Sequence, residues 1–212
     1  MKSGTIILAN GKFPDHQVPL ICLDKAERVV CCDGAADSLV HYGRDPDAIV
    51  GDCDSLSPWI IKQFHDRIFR DGDQETNDLT KAVKWCIHKG YNDITILGAT
   101  GKREDHTLGN IALLAVYSKA VKVMMVTDSG IFRPLNESAD VESFNGQQVS
   151  LFSIDPETEI TSTGLKYKLE KMKFKSWWNG TLNESTGNKF SLEFTGGPLI
   201  VFRKFGKMEF NL

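Results

Sequence analysis

The sequence Ile49-Val50-Gly51-Asp52-Cys53-Asp54-Ser55 is the stretch around which we interpret the fold. It is a short apolar run that stops at two carboxylates one residue apart, which indicates a buried strand followed by a polar turn. Side chains at positions i and i+2 of a strand point to the same side, so Asp52 and Asp54 are predicted to face one spot. Gly51 permits a bend or a close approach of the backbone at that point.

The residues alone leave two interpretations of this carboxylate pair open. Like charges held together favour a shared cation, and a hard ion such as Mg2+, completed by phosphate oxygens and water, suits carboxylate ligands. Alternatively, the segment is a polar turn whose side chains cap a helix that begins at Ser57-Pro58. The first interpretation predicts a metal and phosphate site at the carboxyl end of the strand.

The same pattern of an apolar run and a polar end recurs along the N-terminal part of the chain. The predicted strands cover residues 5–9, 28–32, 48–52, 67–70, 93–97 and 121–127. Predicted helices begin near residues 35, 57, 77 and 105, and in the last of them Leu108, Ile111, Ala112 and Ala115 are expected to face inward. The alternation predicts an α/β fold: an open, mainly parallel sheet with flanking helices and its active edge at the strand carboxyl ends.

From about residue 135 the sequence predicts strands without intervening helices. Residues 147–154, 190–194 and 199–202 are strand-like and are separated by turn residues, which is typical of an all-β sandwich. The segment 166–175 alternates lysines with apolar residues and predicts two strands joined by a tight turn or bulge. We therefore expect an α/β domain over residues 1–134 and a β-sandwich domain over residues 135–212.

Composition restricts the classes of partner. The 212 residues carry 25 Lys and Arg against 28 Asp and Glu, a net charge of −3, so we expect neither nucleic acid nor membrane as a partner. The five cysteines are odd in number and lack the paired spacing of a zinc site, which favours reduced thiols. No apolar run is long enough for a bilayer span, and we expect a cytoplasmic protein.

Four polar clusters follow separate predicted strands and should meet at one edge of the sheet. They are Asp33, the pair Asp52 and Asp54, the segment 73–78, and Arg103 with Asp105. Carboxylates for a metal together with cationic side chains for phosphate are typical of phosphoryl transfer. The loop 98–102 lacks the spacing of a P-loop, but its glycines precede a helix and can still offer backbone N–H groups to a phosphate. Lys81, one helical turn after Asp78, is placed either to pair with Asp78 or to reach a phosphate.

Five segments, in order and at compatible spacing, resemble the motif series of the thiamine pyrophosphokinase family. They are Asp33-Gly-Ala-Ala36, Gly51-Asp-Cys-Asp-Ser55, the segment from Asp73 to Lys81, the segment from Gly98 to His106, and Thr161-Ser-Thr-Gly-Leu-Lys-Tyr167. The resemblance implies Mg2+-dependent transfer of pyrophosphate from ATP to the hydroxyl of thiamine, giving thiamine diphosphate and AMP. It also implies a homodimer in which the β-sandwich domain contributes to thiamine binding and dimerisation.

The resemblance also implies roles for individual residues. Asp52, Asp54 and Asp78 match the carboxylates around Mg2+ and the triphosphate, and these three with Asp105 form the expected catalytic set. The expected ATP- and thiamine-binding residues are Asp33, Gln74, Lys81, Arg103 and Asn183. For the group that orients the thiamine hydroxyl or accepts its proton, Asp78 and Asp105 both remain candidates.

The chain departs from the family pattern at three places. The glycine-rich loop reads Gly98-Ala-Thr-Gly-Lys-Arg103 where Gly-Gly-x-Gly-Gly-Arg is usual, so the approach of the backbone to phosphate can differ. Asn77 stands where Thr is common, and Leu182 stands where a Ser precedes Asn183. The last difference affects the expected thiamine contacts rather than the ATP site.

Two other functions are compatible with these residues. One is a metal-dependent phosphotransferase or hydrolase with another substrate, for which the pair Asp52 and Asp54 would suffice. The other is a non-catalytic thiamine or nucleotide sensor. Product identity separates the first from pyrophosphate transfer, and the lack of turnover would identify the second.

Overall fold

The computed structural model describes residues 3–206 and divides into two compact units. The first comprises residues 3–110 and 120–128, and the second comprises residues 111–119 and 129–206. The predicted domain boundary after residue 134 stays a prediction. Within the described residues, no helix is both long enough and apolar enough to cross a membrane.

The first unit contains a parallel sheet. Its strands among the described residues are β1 (Ser3–Leu8), β2 (Ala26–Cys32), β3 (Ala48–Gly51), β4 (Ile68–Arg70), β5 (Asp93–Leu97) and β6 (Lys122–Val126). They lie in the order β6-β5-β1-β2-β3-β4, and every neighbouring pair is parallel. Chain order therefore changes direction at β1, which lies between β5 and β2. In such sheets, ligands bind at the carboxyl ends of the strands beside this switch point.

Helices connect these strands. They are α1 (Gln17–Asp24), α2 (Ala35–Tyr42), α3 (Pro58–Gln63), α4 (Asp78–His88) and α5 (Glu104–Tyr117). The predicted start of α3 is confirmed, because the Ser57 side chain accepts a hydrogen bond from the Ile60 N–H and Pro58 is the first helical residue. Helix α4 is capped by Asn77, whose Oδ1 accepts from the Thr80 N–H at 2.9 Å. Helix α1 has no counterpart among the helices predicted from the sequence.

The predicted inward face of α5 is wrong at one position. Leu108 is 58% exposed, whereas Ile111, Leu114 and Ala115 are buried. The first turns of α5 border a cavity, described below, rather than the hydrophobic core. The apolar stripe of this helix therefore begins at Ile111, one turn later than its periodicity predicts.

The second unit is a sandwich of two antiparallel sheets, which confirms the predicted all-β fold after the α/β region. The strands are β7 (Gly130–Leu135), β8 (Ala139–Glu142), β9 (Gln148–Ser153), β10 (Glu159–Thr163), β11 (Met172–Lys173), β12 (Asn183–Glu184), β13 (Lys189–Thr195) and β14 (Leu199–Lys204). Strands β12-β9-β14-β7 lie side by side, and β11-β10-β13-β8 form the other sheet. Alternate residues of both, such as Leu151 and Val201 opposite Ile160 and Leu192, fill one buried core.

The lysine-rich segment 166–175 forms one strand rather than the two predicted. Its second half contains β11, and Lys171 has a φ of +48°, which places the expected tight turn there. Its first half lies within the described residues and contains no strand, and there the backbone of Tyr167 bonds to the Asn183 side chain. The lysines of the segment are exposed, as expected.

Candidate active site

Three carboxylates from separate parts of the first unit meet at the carboxyl edge of its sheet. Asp33 follows β2, Asp52 follows β3, and Asp78 is the first residue of α4. One oxygen of each lies within 4.8 Å of the others. Asp33 is buried, and Asp52 and Asp78 are partly buried. The predicted meeting of polar groups that follow separate strands is therefore observed for these three side chains.

The backbone near this acidic cluster has positive φ angles at three residues, Asp33, Gly51 and Cys53. Asp33 has a φ of +41° and Cys53 a φ of +65°, both in the left-handed region. Gly51 has a φ of +156°, and a Cβ there would lie 3.1 Å from Asp78 Oδ1 and 3.2 Å from Asp33 Cβ. A side chain at position 51 would enter the cluster, so glycine is needed for the close approach that the sequence predicted.

The environment of Asp33 fits a bound cation. Its Oδ2 accepts a hydrogen bond from the Ser55 N–H at 3.1 Å, whereas Oδ1 is buried and meets no hydrogen-bond donor among the residues that the structure describes. Burial is the main cause that raises the pKa of Asp33 above its ordinary value, and the charges of Asp78 and Asp52 add to it. The buried Oδ1 of Asp33, which accepts no hydrogen bond within the described part of the chain, and the carboxylates of Asp52 and Asp78 together form a suitable set of ligands for a hard divalent ion.

Lys81 is a buried residue that contacts the acidic cluster through Asp78. Its side chain is only 3% exposed, and its Nζ lies 3.2 Å from Asp78 Oδ1. Burial opposes the charge of the ammonium, but the hydrogen bond to Asp78 and the attraction of Asp78, Asp52 and Asp71 together outweigh burial and raise the pKa of Lys81. Of the two expectations for this residue, the structure shows the pair with Asp78. Its contact with a phosphate stays a prediction.

Two expected site residues lie outside the three-carboxylate group. Asp54 is exposed, and its N–H donates to Asp52 Oδ1 at 3.2 Å. The chain leaves the extended conformation at Cys53, so the alternation of a strand no longer holds and Asp54 does not share the direction of Asp52. Gln74 is also exposed, in the loop before α4. For both residues the assignment to the site stays a prediction.

A glycine-containing loop after β5 forms the facing wall. The Gly11 N–H donates to the Gly98 carbonyl at 2.7 Å, and the Lys12 N–H donates to the Thr100 carbonyl at 2.8 Å. The Asn110 side chain donates to the Ala99 carbonyl at 2.9 Å and ties α5 to the loop. These contacts were not predicted, because they join parts of the chain that are distant in sequence.

Arg103 and Asp105 form a bidentate ion pair at the N-terminus of α5. Arg103 Nε lies 3.1 Å from Asp105 Oδ1, and Nη2 lies 2.6 Å from Oδ2. The hydrogen bonds from Arg103 are the main cause that lowers the pKa of Asp105 to about 2. Both side chains are exposed, so a phosphate can reach the guanidinium by exchanging with the carboxylate.

Between these walls lies a cavity of about 360 Å³, within the range of small-molecule sites. It is bounded by the ends of β1, β2 and β5, beside the switch point of the sheet. Asp33 and Asp78 line one side, and Lys102 and Arg103 line another. The remaining lining residues are Ala9, Asn10, Gly11, Cys32, Ser55, Asn77, Leu79, Ala99, Thr100, His106, Thr107 and Asn110. The cavity thus offers acidic groups for a cation and cationic groups for phosphates.

Comparison with known families agrees with this geometry. The model of the thiamin pyrophosphokinase catalytic domain matches residues 21–125, which contain the acidic cluster. The model of the thiamin pyrophosphokinase substrate-binding domain matches residues 130–202, which contain the sandwich. The chain belongs to the thiamine pyrophosphokinase family.

Named relatives of the thiamine pyrophosphokinase family match across most of the chain. Thiamine pyrophosphokinase 1 of Oryza sativa subsp. japonica is 29% identical over 196 residues, covering 78% of this chain and 73% of the relative. Thiamine pyrophosphokinase of Bacillus subtilis is 28% identical over 186 residues, covering 81% and 84%.

Solved structures share the fold. The crystal structure of thiamine pyrophosphokinase from Bacillus subtilis superposes with a TM-score of 0.78 at 25% identity, covering 95% of this chain and 98% of that one. Thiamin pyrophosphokinase from Candida albicans gives a TM-score of 0.81 at 22% identity, covering 97% and 90%. The family assignment thus agrees with the fold of both units.

Asn183, the expected thiamine-binding residue of the thiamine pyrophosphokinase family pattern, lies in the second unit. Its side chain is buried and accepts from the N–H groups of Tyr167 and Glu184 at 3.1 and 2.9 Å. Its Nδ2 donates to the Tyr167 carbonyl at 2.8 Å. These bonds hold the backbone of Tyr167, whose own side chain is 60% exposed. Direct binding of thiamine by Asn183 stays a prediction.

Proposed function

We propose that this protein transfers the pyrophosphoryl group of ATP to the hydroxyl of thiamine, giving thiamine diphosphate and AMP, with Mg2+ as the divalent ion. The observation that carries this proposal is the group of Asp33, Asp52 and Asp78, two of which, Asp33 and Asp78, line the cavity of a chain that matches both family models. Family membership supports the reaction, and the cavity supports the place where ATP binds.

The acidic cluster would hold the ion through Asp33, Asp52 and Asp78. A divalent ion bound there offsets negative charge on phosphate oxygens. The ammonium of Lys81 bonds to Asp78, and its positive charge reduces the repulsion among the carboxylates. Asp54, in the predicted metal-binding set, lies two residues after Asp52 and is proposed to act from the exposed side.

The cationic wall would hold the triphosphate. Arg103 presents a planar fork of donors that suits phosphate oxygens, and Lys102 adds a second positive charge. Lys102 Nζ bonds to Asn10 Oδ1 at 3.1 Å, which directs the ammonium along the cavity rim. In-line attack by the thiamine hydroxyl then depends on positioning by these groups more than on covalent chemistry.

Asp78 and Asp105 are the two candidates for orienting the thiamine hydroxyl. Both are engaged here, Asp78 by Lys81 and Asp105 by Arg103. Asp105 becomes a stronger base when Arg103 moves to a phosphate, because the pKa of this carboxyl is held at about 2 by the guanidinium. We retain Asp52, Asp54, Asp78 and Asp105 as the proposed catalytic set.

The second unit is proposed to contribute to thiamine binding and to a homodimer. Asn183 holds Tyr167 in place, and an exposed aromatic ring can contact the cationic thiazolium of thiamine. We retain 1–134 and 135–212 as the proposed catalytic and β-sandwich domains.

The test is phosphorus NMR of the purified protein with ATP and Mg2+, with and without thiamine. We expect AMP and thiamine diphosphate to form only when thiamine is present. ADP or free phosphate would instead indicate an ordinary kinase or a hydrolase, and intact ATP would indicate a protein without turnover. Any of these results would overturn the proposal.

A matched pair of variants locates the reaction. Asp78→Asn removes one charge from the acidic cluster and is expected to lower the rate of AMP formation at least a hundredfold. Asp66→Asn removes one exposed charge near α3 and should leave the rate unchanged. Equal rates in the two variants would place the reaction elsewhere.

A further inference from the structure

A second cavity lies beside α4 and the edge strand of the parallel sheet. It measures about 580 Å³, and its residues all belong to the first unit. They are Val50, Ile68, Phe69, Arg70, Asp71, Lys81, Lys84, Trp85 and His88. Apart from Lys81, which contacts Asp78, none of them belongs to the proposed catalytic or binding set.

Positive charge dominates the polar lining of this cavity. Arg70 and Lys84 are exposed cations, the exposed His88 adds an imidazole donor, and Lys81 forms part of the wall. Among the described residues, no carboxylate lies within ion-pair distance of Lys84. The acidic member of the lining, Asp71, already accepts a hydrogen bond from the Asp73 N–H at 3.0 Å. The cavity therefore presents cations that exceed its own negative charge.

An aromatic surface lies next to these cations. The rings of Phe69 and Trp85 are 4.8 Å apart between centroids, and Phe69 is exposed. The Lys89 ammonium lies 5.7 Å from the Phe69 ring and 5.4 Å from the Trp85 ring. A planar ring can stack on such a surface while an attached anion reaches the neighbouring cations.

The shape of this edge favours a small ligand over an added peptide strand. Strand β4 has three residues, and within residues 3–206 no strand pairs with its outer edge. Three residues offer too few backbone bonds for strand addition to supply affinity. A cavity of this volume instead matches the size of small-molecule sites.

We propose that this cavity is a second binding site, which takes a small organic phosphate with a planar ring. The ring lies against Phe69 and Trp85, and the phosphate bonds to Lys84, Arg70 and His88. This proposal does not rest on the reaction proposed above, and its test does not use turnover.

The experiment is 19F NMR of the full chain labelled with 5-fluorotryptophan. The resonance of Trp85 is assigned from the Trp85→Phe variant and then followed during titration with phenyl phosphate, the probe that combines one ring with one phosphate. Inorganic phosphate and phenol are titrated separately. We expect a saturable shift with phenyl phosphate, weaker binding of inorganic phosphate, and no saturation with phenol.

Charge variants test the cationic wall. Lys84→Glu is expected to weaken phenyl phosphate binding by about fivefold to tenfold, since one exposed charge is reversed. Lys84→Gln should give a smaller loss and covers the case in which the Glu variant fails to fold. Lys62→Glu is the matched control, because Lys62 is exposed on α3 and does not line the cavity, and should bind as the unmodified protein does.

Four results would overturn the proposal. The Trp85 resonance does not move with phenyl phosphate, or Lys84→Glu and Lys84→Gln both bind as tightly as the Lys62→Glu control. The third result is equal affinity for inorganic phosphate and phenyl phosphate, which would remove any role for the ring. Saturable binding of phenol would show that the ring binds without a phosphate, and this result would also contradict the proposal.

Discussion

Replacement of Asp33 by Asn tests the acidic cluster through stability rather than through turnover. Asn keeps an oxygen for the Ser55 N–H and tolerates the φ of +41° at this position, so the backbone can stay in place. The substitution removes one of three neighbouring charges. We therefore expect the variant to be more stable than the unmodified protein when no divalent ion is present.

The expected size follows from the separation of the carboxylates. At 4.8 Å, the distance within which all three oxygens lie, and at an effective dielectric constant of about 20, two full charges repel each other by about 3.5 kcal/mol. Solvent reaches Asp52 and Asp78, so the relief falls to about 1–2 kcal/mol. For a chain of this length such a gain raises the melting temperature by about 2–8 °C.

Divalent ions should reverse this order. A ligand at about 100 times its dissociation constant stabilises the folded state by about 2.7 kcal/mol. The Asp33→Asn variant has lost one charged ligand, so the same ion increases its free energy of unfolding by a smaller amount. We expect it to melt higher than the unmodified protein in EDTA and lower in saturating Mg2+, with weaker binding of Mn2+ in calorimetric titration.

The pH dependence of stability tests independently whether the charge of Asp33 destabilises the folded state. The pKa of Asp33 is raised in the folded state, so its cost to stability is present above that raised pKa and is relieved as the pH falls through it. The advantage of the Asn variant in EDTA should therefore shrink on acidification. Asp66→Asn serves as the control, with no change in either series. A variant that is less stable in EDTA, or that binds Mn2+ like the unmodified protein, would refute the reasoning.

Four further predictions concern other parts of the chain. Asn77→Ala removes the cap of α4 and should lower the free energy of unfolding by about 1 kcal/mol in urea, whereas Asn77→Thr should cost less. Asn183→Ala leaves the Tyr167 backbone without its partners and should cost about 2–3 kcal/mol in the same assay. Arg103→Gln should raise the pKa of Asp105 from about 2 towards its ordinary value in a carboxyl 13C titration, and an unchanged pKa would contradict the ion pair. The five cysteines are buried and free, so a thiol reagent should modify them only after denaturation; rapid native labelling would contradict their burial.

Local signals predicted the framework of the first unit. Continuous apolar runs marked the parallel strands, since such strands are buried on both faces. Ser57 and Pro58 marked the start of α3, because capping depends on neighbouring residues alone. The meeting of Asp33, Asp52 and Asp78 followed from the rule that parallel strands end at one edge.

Other features depended on information that local patterns do not carry. Asp54 and Asp52 point in different directions because the backbone at Cys53 is left-handed. Cysteine is not a residue type that predicts this conformation. The contact of residues 11 and 12 with the loop at 98–100 joins parts of the chain that are distant in sequence. Leu108 was misplaced because periodicity shows which residues share a face but not where on the helix burial begins.

Lys81 connects the two cavities of the first unit. Its ammonium bonds to Asp78 on one side, and its side chain lines the cavity of Phe69 and Trp85 on the other. An anion bound in that cavity would compete with Asp78 for the ammonium and leave the acidic cluster more negative. Such an exchange links the two sites through one coupling free energy, so each ligand would strengthen the binding of the other by the same factor.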